Sequence, residues 1–197
     1  MLIRPKLIGI TGGIGSGKST VCKVFELLGH KVYYADDRGK WLMNHEASLK
    51  RGIRTLFGNN AYFENTLNKK YIGNLVFKSP DLLEKLNELV HPAVAIDLQK
   101  WILENNQEKI LFDESALLFE VGSYKEMDLT ILVTAPKEIR IQRVISRDDY
   151  RTETSVKEIM NQQMEDKKKI DLADFVVQND NKQSIIKQIM NLYHYLA

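Results

Sequence analysis

Five short apolar runs punctuate the chain, at residues Lys6–Ile10, Lys31–Ala35, Lys109–Phe112, Leu129–Val133 and Phe175–Val177. Each is continuous rather than alternating, and each is flanked by segments whose apolar residues recur at helical spacing. Continuous runs suit strands buried on both faces, so the alternation predicts a parallel sheet covered by helices on both sides. Lys18 to Leu28 carries Val21, Val24, Phe25 and Leu28 at helical intervals and meets Gly29, a helix stop signal. The stretch from about 38 to 108 breaks the alternation. It reads as helical throughout, with Ser79 and Pro80 as N-cap and first-turn proline for a helix carrying Leu82, Leu83, Leu86 and Leu89. That is far more chain than a crossover helix needs, and it predicts a helical subdomain inserted after the second strand.

The first apolar run leads straight into Gly12-Gly-Ile-Gly-Ser-Gly17-Lys18-Ser19, which matches G-x-x-x-x-G-K-[ST] at every fixed position. Glycines permit the backbone angles and close approach by which successive N–H groups cradle a phosphate. A helix beginning near Lys18 points its positive dipole end at the same anion. Lys18 is expected to bridge the β- and γ-phosphates of ATP and Ser19 to hold Mg²⁺. Gly13, Ile14, Gly15, Ser16, Gly17 and Thr20 complete the expected nucleotide-binding set. The fold class that follows is α/β, a P-loop kinase-like three-layer sandwich with five parallel strands, the helical insertion and a short lid at about 148–154.

Composition narrows the setting. A chain of 197 residues fits one domain with an insertion and should bury about 70% of its unfolded surface. The net charge of +2 argues for neither a nucleic-acid nor an anionic-membrane partner. Small-molecule substrates and a monomer or weak homo-oligomer are expected instead. Cys22 is the only cysteine, which excludes an intrachain disulfide and a cysteine-cluster metal site; its expected role is helix packing. No run of 18 apolar residues occurs and no leader pattern precedes the first strand, so a soluble, cytoplasmic protein is expected.

A phosphate loop is common to kinases, GTPase switches and ATP-driven machines. The guanine-reading pattern N-K-x-D is missing: Asn68-Lys69 and Asn181-Lys182 are followed by Tyr71 and Ser184 at the fourth position. Phosphoryl transfer needs cations around the transferred group, and Arg140, Arg143, Arg147 and Arg151 line one helix face running toward the lid. Arginines so placed contribute ~10³ to 10⁵ in rate, about 4–7 kcal/mol. Arg143 and Arg147 lead this set. Asp36, at the C-terminal end of the second strand, is the candidate to orient an acceptor hydroxyl and take its proton. Asp37 is second to it, as a helix cap. Asp113 ends a Walker-B-like run and is a candidate to support Mg²⁺ through water, with Glu114 behind it.

These parts, in this order, resemble the dephospho-CoA kinase family from about residue 6 to residue 190. Ile10-Thr-Gly-Gly-Ile-Gly-Ser-Gly-Lys-Ser-Thr20 is similar to that family's phosphate loop almost letter for letter. The family places Asp-Ala-Asp after the second strand; here Tyr34-Ala35-Asp36 keeps the second acid, the proposed base, and replaces the first by tyrosine. Leu89-Val-His91-Pro92 resembles its acceptor-side His-Pro element, a pair that on its own reads as a helix end. Ala116-Leu-Leu-Phe-Glu120 is similar to Pro-Leu-Leu-x-Glu, with alanine for proline. Arg143-x-x-x-Arg147-Asp148, then Gln163, Ala173-Asp174-Phe-Val-Val177 and Asn179 resemble the remaining segments. The resemblance implies phosphorylation of the ribose 3′-hydroxyl of dephospho-CoA by ATP with Mg²⁺, the last step of coenzyme A synthesis. It implies acceptor contacts at Asp36, His91 and Leu117, and ATP contacts at Asn179 after the last strand.

Overall fold

A computed structural model of the chain describes residues 4–196. Strands β1 (Lys6–Thr11), β2 (Lys31–Tyr34), β5 (Ile110–Glu114), β6 (Leu129–Thr134) and β7 (Phe175–Gln178) form one parallel sheet in the order β2-β5-β1-β6-β7. Helices α1 (Lys18–Leu27), α6 (Lys137–Arg147), α7 (Glu153–Gln162), α8 (Asp166–Leu172) and α9 (Ile185–Leu196) belong with this sheet. The sheet and these helices make one of two compact units: the chain up to Tyr34 joined with residues from Asn105 onward.

The continuous apolar runs sit where double-sided burial requires them. Ile8, Ile10, Phe112, Ile131 and Val133 from the strands pack with Val21, Cys22 and Phe25 of α1 and Ile189, Leu192 and Leu196 of α9. Phe25 and Phe112 stack with centroids 4.1 Å apart. Each fully buried large side chain here stabilises the unit by roughly 1.5–3 kcal/mol. Polar groups set the register at the sheet's edges. Asp174 Oδ2 accepts from both the N–H and the hydroxyl of Thr130, each at 2.8 Å, and so keys β7 to β6. Burial drives the Cys22 thiol far above its usual range, with Glu114 adding to the shift, so packing is its role.

The second unit is Ala35–Glu104. It comprises α2 (Ala35–His45), α3 (Ala47–Phe57), α4 (Lys69–Lys78) and the long α5 (Pro80–Glu104). Leu42, Leu49, Ile53, Phe57 and Ile72 form its core, completed by Leu82, Leu86, Leu89, Val90 and Val94 of α5. Gly52 keeps α3 close to α5, since a Cβ there would lie 3.2 Å from Leu89. Arg38 of α2 grips Asp97 of α5 through two bonds of 2.8 and 2.7 Å.

Three expectations need correction. The insertion is not helical throughout: β3 (Tyr62–Phe63) and β4 (Thr66–Leu67) form an antiparallel hairpin. Its turn holds Glu64 and Asn65 at φ 44° and 67°, the paired left-handed conformation of a tight hairpin, without the glycine that usually marks one. His91-Pro92 does not end a helix, because α5 runs through Pro92. A proline costs one backbone bond there, and packing along both flanks of the helix outweighs that loss. The second strand stops at Tyr34, so Asp36 and Asp37 lie in the first turn of α2, where carboxylates favour the positive end of the helix dipole.

Candidate active site

The phosphate loop joins β1 to α1 as its pattern demands. Gly15 and Gly17 adopt φ 76° and 97°, conformations that side chains rarely take. Gly12 is required for space, since a Cβ there would strike the Val133 carbonyl; at Gly13 it would displace the Arg140 guanidinium. Gly17 is the N-cap of α1, with no side-chain cap bond, and the first turn carries no acid. Two loop amides are already spent within the protein. Ser16 N–H donates to the Gly13 carbonyl at 3.1 Å and Ile14 N–H to Gln163 Oε1 at 2.9 Å. The donors the loop can offer an anion include the N–H groups of Gly15, Gly17, Lys18 and Ser19.

Lys18 folds back over the loop. Its Nζ donates to the Gly12 carbonyl at 2.9 Å and lies 3.5 Å from Glu114 Oε1. Glu114 and its neighbour Asp113 are both buried, inside β5 and paired with Ile10 and Gly9 rather than beyond the strand end. Ser19 and Thr20 are exposed in the first turn of α1. An exposed hydroxyl is the kind of ligand Mg²⁺ accepts, since that ion keeps several waters and takes few protein ligands. Among the described residues no group of three or more His, Cys, Asp or Glu gathers into a metal site of its own.

The arginines of α6 divide by position. Arg140 is buried; its Nε donates to the Ile14 carbonyl at 2.8 Å and its Nη1 to Asp166 at 2.9 Å. It was expected among the cations facing the transferred group, and it is instead committed to the loop and α8. Arg143 Nη2 donates to the Asn179 carbonyl at 3.0 Å, to Asn179 Oδ1 at 3.1 Å and to Asn181 Oδ1 at 2.6 Å. Asn179, itself buried, donates to the Ser16 carbonyl at 2.8 Å. Ser16, Arg143 and Asn179, distant in the chain, thus meet at one place. Arg147 is exposed and forms a two-bond pair with Asp148, at 2.8 and 2.9 Å. Arg151 reaches the same carboxylate at 3.2 Å. The hydrogen bond from Arg147 holds the Asp148 carboxyl below its usual range.

The remaining expected residues belong to other elements of the chain. Leu117 is half-buried in the turn after β5. Tyr34, standing where the family pattern has an acid, donates to Glu26 Oε1 at 3.1 Å. Asp36 is exposed at the start of α2, and Asp37 is paired with Lys40 at 2.7 Å. His91 is half-buried on α5, where desolvation pushes its imidazole below the usual range. Reasoning from the sequence missed Asn181, Asp166 and the buried Lys169, whose Nζ lies 2.8 Å from Glu120 Oε1. Lys169 closes a run of three lysines that reads as a solvated patch, so no local signal marked it.

Known proteins resemble the chain over nearly its whole length. The family model described as dephospho-CoA kinase matches residues 6–184. The chain belongs to the dephospho-CoA kinase family. A dephospho-CoA kinase of Salinibacter ruber is 40% identical over 176 residues, covering 88% of each chain. One from Bacteroides fragilis is 34% identical over 189 residues, 96% of this chain and 92% of its own. Among solved structures, a protein of Thermus thermophilus superposes with a TM-score of 0.87 at 30% identity, covering 98% of this chain and 97% of that one. Membership in the dephospho-CoA kinase family makes the chain a transferase.

Proposed function

We propose that the chain transfers the γ-phosphate of ATP to the ribose 3′-hydroxyl of dephospho-CoA, giving coenzyme A and ADP. The observation that carries this reading is a glycine loop, left-handed at Gly15 and Gly17, that runs into an α1 N-terminus with no side-chain cap, in a chain matched to the dephospho-CoA kinase family over residues 6–184.

In the reaction the bond from the γ-phosphorus to the β,γ-bridging oxygen breaks, and a new bond forms to the ribose 3′-oxygen. The loop amides and Lys18 hold the β- and γ-phosphates, which leaves the γ-phosphorus oriented for in-line attack. Ser19 would hold Mg²⁺, with Asp113 as its support, and the ion would neutralise charge on the phosphate oxygens. Arg143 and Arg147 oppose the charge that builds on the leaving ADP. Asp36 orients the acceptor hydroxyl and takes its proton late, since the transition state is loose. His91 and Leu117 contact the acceptor, which the unit from Ala35 to Glu104 holds. The segment at about 148–154 acts as a lid, because an open site would spend ATP on water. Such an enzyme works where ATP and the acceptor are made, in the cytoplasm. Among the described residues no helix is long and apolar enough to cross a membrane.

The test is ADP release with ATP, Mg²⁺ and dephospho-CoA, with mass spectrometry of the product. A product heavier by one phosphate at the ribose 3′ position supports the reading. ADP release with AMP, CMP or shikimate but not with dephospho-CoA overturns it.

A further inference from the structure

The geometry points to Gln163 as a positioning residue that, with Arg140, fixes the phosphate loop at Ile14 and so prepares it for nucleotide. This inference rests on reading Gly12–Ser19 as the nucleotide site, and not on the identity of the acceptor.

In the G-x-x-x-x-G-K-[ST] pattern Ile14 occupies a position free to vary, yet it is held in three ways. Its N–H donates to Gln163 Oε1 at 2.9 Å, and its carbonyl accepts from Arg140 Nε at 2.8 Å. Its side chain packs with Ile141 and Val144 of α6 and with Val156 and Met160 of α7. The loop also lies directly on α6, since a Cβ on Gly15 would come within 3.0 Å of the Arg140 backbone. Neither polar grip reaches a phosphate donor; both act on the residue just before Gly15, where the loop turns into its left-handed conformation.

Gln163 is itself tied down. It caps the C-terminal end of α7, and the next N–H, of Met164, donates to Glu120 Oε1 at 3.0 Å. Lys169 pairs with the same carboxylate, and Asp166 pairs with Arg140. The segment 163–169 therefore spans from the turn after β5 to the loop, with fixed contacts at both ends. At its other end α7 is capped by Thr152, directly after the Asp148–Arg151 pair. A helix of ten residues, about 15 Å long, thus connects the lid segment to the phosphate loop. Ordering the loop before nucleotide arrives removes that entropy from the binding step. A shift of α7 would release Ile14 and lower affinity.

The experiment compares Gln163→Leu, which keeps size and loses the acceptor, with Gln163→Glu, which keeps an acceptor. Calorimetry with ADP and with ATP reads affinity, and native-state amide exchange without nucleotide reads the Ile14 N–H. Gln163→Leu should weaken nucleotide binding about tenfold, the scale of one lost bond in an ordered site, and expose the Ile14 amide to exchange, with the acceptor KM unchanged. Gln163→Glu should keep the Ile14 amide protected. Thermal midpoints of both variants establish that each is folded, and Gln163→Ala repeats the comparison if the leucine variant is not. Wild-type affinity and protection in Gln163→Leu overturn the inference, as does loss of Ile14 protection in Gln163→Glu. If the proposed acceptor is wrong, the wild-type protein fails to turn over dephospho-CoA while these nucleotide readouts still separate the variants.

Discussion

Lys169 has no exposed surface, and its Nζ lies 2.8 Å from the carboxylate of Glu120, 49 positions earlier in the chain. An ammonium taken wholly out of water persists only with a charge beside it, so this pair welds α8 to the turn after β5. Lys169→Met should destabilise the protein by about 3 kcal/mol, the low end for a broken buried pair because Glu120 keeps some exposure and its bond from Met164. Thermal and urea denaturation read the loss. A change below about 0.5 kcal/mol would place the pair among ordinary surface contacts.

Arg143 depends on Asn181, a residue at φ 64° whose side chain makes the shortest of its bonds, 2.6 Å. Asn181→Gly keeps the backbone angle and removes the acceptor, whereas Asn181→Asp keeps the acceptor. We expect the glycine variant to lose several-fold in kcat/KM for ATP with an unchanged thermal midpoint, and the aspartate variant to stay near wild type. Equal kinetics in all three proteins would separate Arg143 from the reaction.

Lys18→Ala should abolish transfer, since Lys18 provides the one side-chain cation within the loop itself. The same change also frees Glu114 from its pairing at 3.5 Å. Product formation measured at saturating ATP checks the expectation; retained turnover would contradict the assignment of the loop.

Asp36→Asn should lower kcat by ~10² or more while ADP and ATP bind as before. Calorimetry and steady-state rates together test this. Unchanged kcat would remove Asp36 from the proton-accepting role and turn attention to other acids.

Stability should fall on acidification. Burial depresses the imidazoles of His91 and His30, with Glu108 opposing the shift at His30. Between the depressed folded value and the unfolded value near 6.5, the unfolded chain binds more protons, so stability declines as pH drops through that window. The loss is complete once pH is below the folded values. Thermal midpoints from pH 7.5 to pH 5 measure it, and His91→Gln, which carries no titrating group, should flatten the slope. An unaltered slope in that variant would assign the pH dependence to other groups.

The phosphate loop, the five strands and α1 were legible because their signals are local. Glycine at 12, 15 and 17 declares backbone geometry, and continuous apolar runs declare burial on both faces. The hairpin at Tyr62–Leu67 was not legible, because two-residue strands have no measurable period and Asn65 adopts a positive φ without glycine. The run of α5 through Pro92 was not legible either, since the local rule reads proline as a stop and only packing along the helix outweighs it.

By itself the sequence determined that a glycine-rich loop of phosphate-binding pattern follows β1 on a parallel α/β sheet, and which residue types surround it. What the tertiary structure alone decided was the division of labour among chemically identical side chains. Arg140 and Arg143 stand one helical turn apart with the same guanidinium, yet one is buried against Ile14 and Asp166 and the other reaches Asn179 and Asn181. Lys167, Lys168 and Lys169 are adjacent, yet only the last is buried against a carboxylate. Backbone angle and periodicity are properties of a few consecutive residues. Which charge loses its water depends on the partners that folding brings from far along the chain.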